Sequence, residues 1–379
     1  MEMNTESYTA TSKNSKTGIA ILYALVLFLI TANKLTSLPI DKLFTIVLIG
    51  LIFWHEATVF FFRRYELDLT FTLFIIAFLS FLINLVDNSS LIIFFPIIGC
   101  IFCFVVARRP WLIDLIYYAL ISHFFIAFIL YLFSYFTGDM QFVEDMSMKG
   151  LPYIHVIKGF TPTIQVFGSL CLTWIIIYYF RKASQRLTLT DRFCYFFVLL
   201  CLLLTFNRTS FLGFLIILFF KERKIFVILA IVTGIAILTY LQFFLTFFLN
   251  VDTLTSRSEL LDGFNKSFWN SHSLLVYIFG KGNNQIPAVI LQTVKWDFRN
   301  DIENGYAMIL HTYGFLGLVF YLFIAFIFLI KLGLLKNWYL FFLVLFYIAI
   351  QPYFTQEFMA TSFYISMGTV IFISRQAVV

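Results

Sequence analysis

Residues 304–330 read NGYAMILHTYGFLGLVFYLFIAFIFLI, 27 residues without one Asp, Glu, Lys or Arg. At helical rise such a stretch is about 40 Å long, more than the roughly 30 Å hydrocarbon core of a bilayer. It is continuously apolar and does not alternate, so a strand of a membrane β-barrel is excluded. The rest of the chain repeats this texture. Of its 379 residues, 61% are hydrophobic, 21% aromatic and only 12% charged, with a mean hydropathy of +0.93. A water-soluble globular domain carries roughly 25% charged residues. The expected fold class is therefore an all-α polytopic integral membrane protein.

Working outward from 304–330, short charged punctuation divides the chain into about twelve apolar segments. They lie near 17–33, 43–62, 69–86, 91–107, 111–136, 164–180, 193–206, 209–220, 225–249, 304–330, 338–354 and 362–374. The first 16 residues are polar, and no small-residue cleavage site follows the first apolar run, so that run is expected as a retained helix. With the N-terminus in the cytoplasm, 16 of the 26 Lys and Arg residues fall inside and 10 outside. The bias obeys the positive-inside rule and leaves both termini cytoplasmic. Hydrophilic stretches 137–163 and 251–302 then lie outside, the larger one between spans nine and ten. It holds five basic and five acidic residues, so any anion bound there must be held by individually placed side chains. No internal repeat is visible. The chain is expected as a single membrane domain (1–379) with N-terminal helices over 1–192, a core over 193–330 and C-terminal helices over 331–379.

Segment 193–220 decides the topology downstream. As one helix it would place Asn207 and Arg208 at mid-bilayer, where Arg costs about 2.5–3.5 kcal/mol or more, and would send Lys221-Glu222-Arg223-Lys224 outside. As a hairpin it has two short arms and a turn sunk below the outer surface, with Arg208 lining a water-filled cavity. The hairpin is preferred. Arg208 then becomes a candidate anion ligand, since a guanidinium is a fixed and always charged fork. The alternative is a snorkelling interfacial arginine.

Three further places carry polar chemistry. Arg257 opens the long outer loop, where it reads equally as an ordinary surface arginine. Gly280-Lys281-Gly282 allows close backbone approach to a ligand, though a plain turn would look the same and the Walker pattern is absent. Glu303, Asn304 and Tyr306 sit at the outer mouth of the tenth span. Tyr306, Leu310, Tyr313 and Gly317 recur at helical spacing, which reads as packing, with Gly314 and Gly317 permitting close helix contact.

Taken in order, these segments resemble the O-antigen polymerase and ligase superfamily of membrane glycosyltransferases (Wzy-type polymerases and O-antigen ligases). The resemblance rests on Asn207-Arg208-Thr209, Arg257, Gly280-Lys281-Gly282, Glu303-Asn304-Gly305-Tyr306 and Gly314-Phe-Leu-Gly317, over roughly residues 195–330. It implies a GT-C-type architecture in the bacterial inner membrane and a polymerase of undecaprenyl-pyrophosphate-linked oligosaccharide repeats, building O-antigen (lipopolysaccharide) or capsule-type polysaccharide at the outer face. By the same resemblance Arg208 and Arg257 hold the donor pyrophosphate, and Asn207, Lys281, Asn304 and Tyr306 contact substrate. Glu303 stands as the candidate catalytic base, with a helix N-terminal carboxylate as its plain alternative. Implied partners are the lipid-linked oligosaccharide, the bilayer, a chain-length regulator and a flippase, with no nucleic acid. The ligase branch carries a His before the Asn where this chain has Glu303, which makes ligase activity the secondary reading. A lipid-oligosaccharide flippase or other transporter is a further alternative, although transporters usually show a two-fold repeat.

No His, Cys or carboxylate cluster has metal-ligand spacing, so no metal and no cofactor is expected. The five cysteines all lie in apolar segments and read as inert thiols. His55 and Glu56 are expected in a cytoplasmic helix-end network near Arg63 and Arg64, Asp114 as a partner of Arg108 or Arg109, His123 as a hydrogen-bonded bundle histidine, and His155 in solvent.

Overall fold

The computed structural model describes residues 20–32, 40–56, 63–85, 91–138, 140–146, 154–239, 261, 263–266, 268–282, 304–355 and 360–376. Helices dominate them, and one lies in each of the twelve expected apolar segments. They are α1 (Ala20–Thr31), α2 (Ile40–His55), α3 (Arg64–Ile83), α4 (Phe95–Val106, entered through the 3-10 turn Leu91–Phe94), α5 (Pro110–Thr137), α6 (Ile164–Ser184), α7 (Leu189–Leu204), α8 (Arg208–Lys221) and α9 (Arg223–Thr239). A short α10 (Leu274–Phe279) precedes α11 (Gly305–Leu334), α12 (Trp338–Phe354, with a π-helical stretch at Phe346–Ile350) and α13 (Thr361–Gln376). Four of them, α3, α5, α6 and α11, are long and apolar enough to cross a membrane. A two-stranded antiparallel sheet, β1 (Val143–Asp145) on β2 (His155–Ile157), is the one sheet among the described residues.

Helix α6 is the hub. Its residues from Val166 to Tyr179 are all buried, whereas α3, α9 and the second half of α11 expose runs of Phe, Ile and Leu. An apolar surface of that kind on a helical bundle is a lipid-facing surface. Small residues set the close contacts. Gly99 of α4 lies against Tyr364, and Gly368 of α13 against Val106 and the Cys103 carbonyl, so α4 and α13 run parallel. Gly168 and Gly213 do the same for α6 and α8.

The polar contacts collect at two opposite ends. At one, Glu66 receives Arg108 and, at 2.9 Å, Arg375. There too Glu56 pairs with Arg109 at 2.5 Å and accepts from Trp111, Asp114 pairs with Arg181 at 2.6 Å, and Lys182 with Glu222 at 2.5 Å. All five basic residues in these pairs belong to the set expected in the cytoplasm. At the other end lie Asp41 with Thr361, the Asn207 turn against α6, and Asn304 against α12. The ends of α1 to α8 and α11 to α13 alternate between these two layers.

Several local expectations change. Asp114 pairs with Arg181 rather than Arg108 or Arg109, because α5 and α6 are neighbours and their charged ends meet. Glu56 joins the helix-end network through Arg109, not through Arg63. His155 is half-buried on β2, its ring 5.3 Å from that of Tyr135. His123 is fully buried and shares a 3.1 Å hydrogen bond with Thr31, as a bundle histidine should. The cysteines of the described helices are all free.

Candidate functional site

The break between α7 and α8 is built by its own side chains. Thr205 turns its hydroxyl back onto the Leu202 carbonyl (2.7 Å) and accepts from the Asn207 amide (3.2 Å). Phe206 takes a left-handed φ of 48°. Asn207 is the N-cap of α8: its Oδ1 accepts from the Thr209 amide (3.1 Å) and its Nδ2 donates to the Ser210 hydroxyl (2.7 Å). Capping of this kind stabilises a helix start by about 1 kcal/mol. The long-helix reading of 193–220 is thereby excluded. Gly168 of α6 seats the turn, since a Cβ there would collide with Ser210 and crowd the Asn207 amide. Asn207 is thus buried and structural, while half-buried Arg208 begins α8 at the helix's positive N-terminal end.

The start of α11 lies in the same layer. Asn304 is its N-cap, accepting from the Ala307 amide (3.0 Å) and donating to the Tyr353 carbonyl of α12 (3.3 Å). Tyr306 donates to the Ile348 and Ala349 carbonyls at 3.1 and 2.9 Å. Those carbonyls belong to the π-helical stretch, whose widened turn presents them sideways. Asn304 and Tyr306 therefore hold α11 to α12. Gly305 allows the approach, because a Cβ would press on the Thr355 and Pro352 carbonyls.

Two residues that sequence reasoning did not single out join the two turns. Gln351 of α12, buried, donates to the Ser169 hydroxyl of α6 at 3.3 Å, and its carbonyl accepts from Thr355. Ser169 adjoins Gly168, on which the Asn207 turn sits. The path Asn207, Gly168-Ser169, Gln351, Tyr353, Asn304 makes the α8 and α11 starts parts of one structure. Its signal in the sequence was slight: a glutamine in an apolar run.

Lys281 sits elsewhere. Its amide donates to the His311 carbonyl (2.6 Å), and His311 Nδ1 shares a 3.2 Å hydrogen bond with the Gly282 carbonyl. His311 lies seven residues along α11 from Asn304, about 10 Å at helical rise. Helix α11 breaks there: Gly314 has φ 67° and ψ −166°. The stripe of Tyr306, Leu310, Tyr313 and Gly317 is consequently not one continuous helical face. Gly280 fits against the break, and α3 closes it through Ser80 to the Thr312 carbonyl (2.6 Å) and Asn84 to the Gly280 carbonyl (3.1 Å). The structure thus brings Asn207, Arg208, Asn304 and Tyr306 into one layer and docks Lys281 deeper. Arg257 and Glu303 lie outside the described residues.

Among the described residues no group of three or more His, Cys, Asp or Glu is placed to hold a metal ion. The chain matches no model of a known protein family, and no curated protein matches it at a significant level.

Proposed function

We propose that this protein is a Wzy-type polysaccharide polymerase of the bacterial inner membrane, crossing it twelve times with both termini cytoplasmic. The observation that supports this most is the joining of the Asn207-Arg208 turn to the start of α11 through Ser169 and Gln351. It sets an always-charged guanidinium at a helix N-terminus, in the layer where α11 starts at Asn304. A helix start of that kind favours phosphate oxygens.

In the proposed reaction the bond between the anomeric carbon of the growing glycan and its lipid pyrophosphate breaks. The hydroxyl oxygen of a second lipid-linked repeat bonds to that carbon, its proton passes to the Glu303 carboxylate, and the lipid pyrophosphate departs with the bonding electrons. Arg208 and Arg257 stabilise the charge gathering on the leaving oxygens. Asn207, Asn304 and Tyr306 serve by fixing the two helix starts.

Purified protein with a synthetic lipid-linked repeat tests the scheme. Arg208→Ala should lose about 1.5–3 kcal/mol of charge-assisted contact, some ten- to hundred-fold in rate. Arg208→Lys should recover little, since a point charge does not replace a bidentate fork. Wild-type chain growth by Arg208→Ala at normal expression would end the assignment.

Orientation is tested separately. Reporter fusions after residue 222 should read cytoplasmic and those after residue 275 external. A cytoplasmic signal at 275 would remove the outer-face active site.

A further inference from the structure

The structure carries a second polar site, in the same layer as the Arg208 turn but built from other side chains, and independent of the polymerase reading. Asp41, in the first turn of α2, is 2% exposed although it begins an apolar helix. Its Oδ2 accepts from the Thr361 hydroxyl at 2.8 Å. Its Oδ1 is buried and has no hydrogen-bond partner among the described residues, and neither has the buried hydroxyl of Ser362 beside Thr361. Both residues line a small pocket closed by Thr31 at the end of α1, by Pro162 and by Val166 of α6.

No Lys, Arg or His among the described residues reaches ion-pairing distance of Asp41. Lys42, next in the chain, holds its ammonium over the Phe95 ring, 4.3 Å from the centroid. A buried carboxylate without a counter-charge costs several kcal/mol. Helix α2's N-terminus offsets a part of this. A cation in the pocket would offset the rest, and the polar atoms of the otherwise apolar lining indicate the kind that fits. Its donors are one carboxylate and hydroxyl oxygens, hard ligands without nitrogen or sulfur. One carboxylate balances one positive charge, whereas a divalent ion normally draws several carboxylates or keeps a shell of water.

We propose that the Asp41 pocket binds a sodium ion, coordinated by Asp41 Oδ1 and the Ser362 hydroxyl. Because the pocket is shared by the ends of α1, α2, α6 and α13, the ion pins these four helices together at the layer opposite the Glu66 network. An ion held by the folded state and not by the unfolded one raises stability as its concentration rises.

The test uses full-length protein in detergent, with the unfolding midpoint followed as sodium chloride replaces choline chloride at constant ionic strength. The midpoint should climb and saturate with sodium. Potassium chloride in the same series reports whether another monovalent ion serves equally. Binding of radioactive sodium should reach one ion per chain. Asp41→Asn should abolish both effects. Should Asp41→Asn not fold, Ser362→Ala keeps the carboxylate and removes one ligand, and it should shift half-saturation to higher sodium. Midpoints identical in sodium and choline with no bound sodium, the result for a trapped water only, would overturn the proposal. So would a sodium response equal to wild type in Asp41→Asn or, where that variant does not fold, in Ser362→Ala.

Discussion

Glu66→Ala is expected to destabilise the protein by about 3 kcal/mol, the lower part of the range for breaking a buried ion pair. Glu66 is fully buried, and three separate parts of the chain converge on it. Its Oε2 accepts from the Arg63 amide at 3.1 Å and from Arg108, and its Oε1 accepts from Arg375 at 2.9 Å. One carboxylate therefore ties the start of α3, the link between α4 and α5, and the end of α13. Arg375 also donates to the Ala107 carbonyl at 3.2 Å, so α13 is held to the α4 end by charge and by backbone together.

Removing the carboxylate leaves two guanidiniums facing each other across a buried gap, which costs more than the lost contacts alone. The arginine side chains keep 21% and 26% of their exposure. That access to water is why the lower figure applies. Arg375→Met should cost less, because the pair with Arg108 survives. Unfolding in mixed micelles supplies the measurement. The proposed polymerase activity, measured per folded molecule, should hold in both variants, since the network lies at the far end from the Arg208 layer. A Glu66→Ala loss below about 1 kcal/mol would show that water reaches the cluster and screens it.

How far the sequence reaches can be judged at particular residues. Helix positions follow from the charged punctuation, because a charge in hydrocarbon is penalised whatever the neighbours are. The helix break at Asn207 was legible for the same reason: Arg208 could not be left at mid-bilayer, and Asn is a strong cap. Partners distant in sequence were not legible. Asp114 was expected against Arg108 or Arg109, and only the packing of α5 on α6 brings it to Arg181. Asp41 drew no notice, since a lone acid at a helix start looks like an ordinary dipole partner until Thr361 and Ser362 are seen around it. Asn304 and Tyr306 were assigned to substrate by the family resemblance alone. The hydrogen bonds they donate go to α12 carbonyls, which periodicity cannot reveal. Gly314 is the sharpest instance. In a membrane helix a glycine is usually a packing residue, and nothing local distinguishes one that ends the helical geometry.

Gly314→Ala should therefore be among the most damaging single-methyl changes in the chain. A backbone at φ 67° and ψ −166° is essentially restricted to glycine, at a cost of about 1–3 kcal/mol for other residues. A Cβ would also fall well inside contact distance of the Ile278 carbonyl and the Gly280 amide nitrogen. These are backbone atoms, which cannot swing aside. The break matters because its freed polar groups need partners within the bundle. The His311 carbonyl receives the Lys281 amide, and the Thr312 carbonyl receives the Ser80 hydroxyl. Displacing α10 would strip the first of these and separate Gly280 from Asn84. The expected result is release of residues 274–282 and, where their docking shapes the proposed site, a fall in the proposed polymerisation of roughly a hundred-fold for about 3 kcal/mol. Limited proteolysis within 274–282 reads the release directly. Gly333→Ala, on the same helix, is the matched control: its Cβ would meet only the Phe341 ring at 3.9 Å, an ordinary contact, and it should behave as wild type. If the two variants are alike in both protease resistance and chain growth, the break in α11 does not position the 274–282 segment.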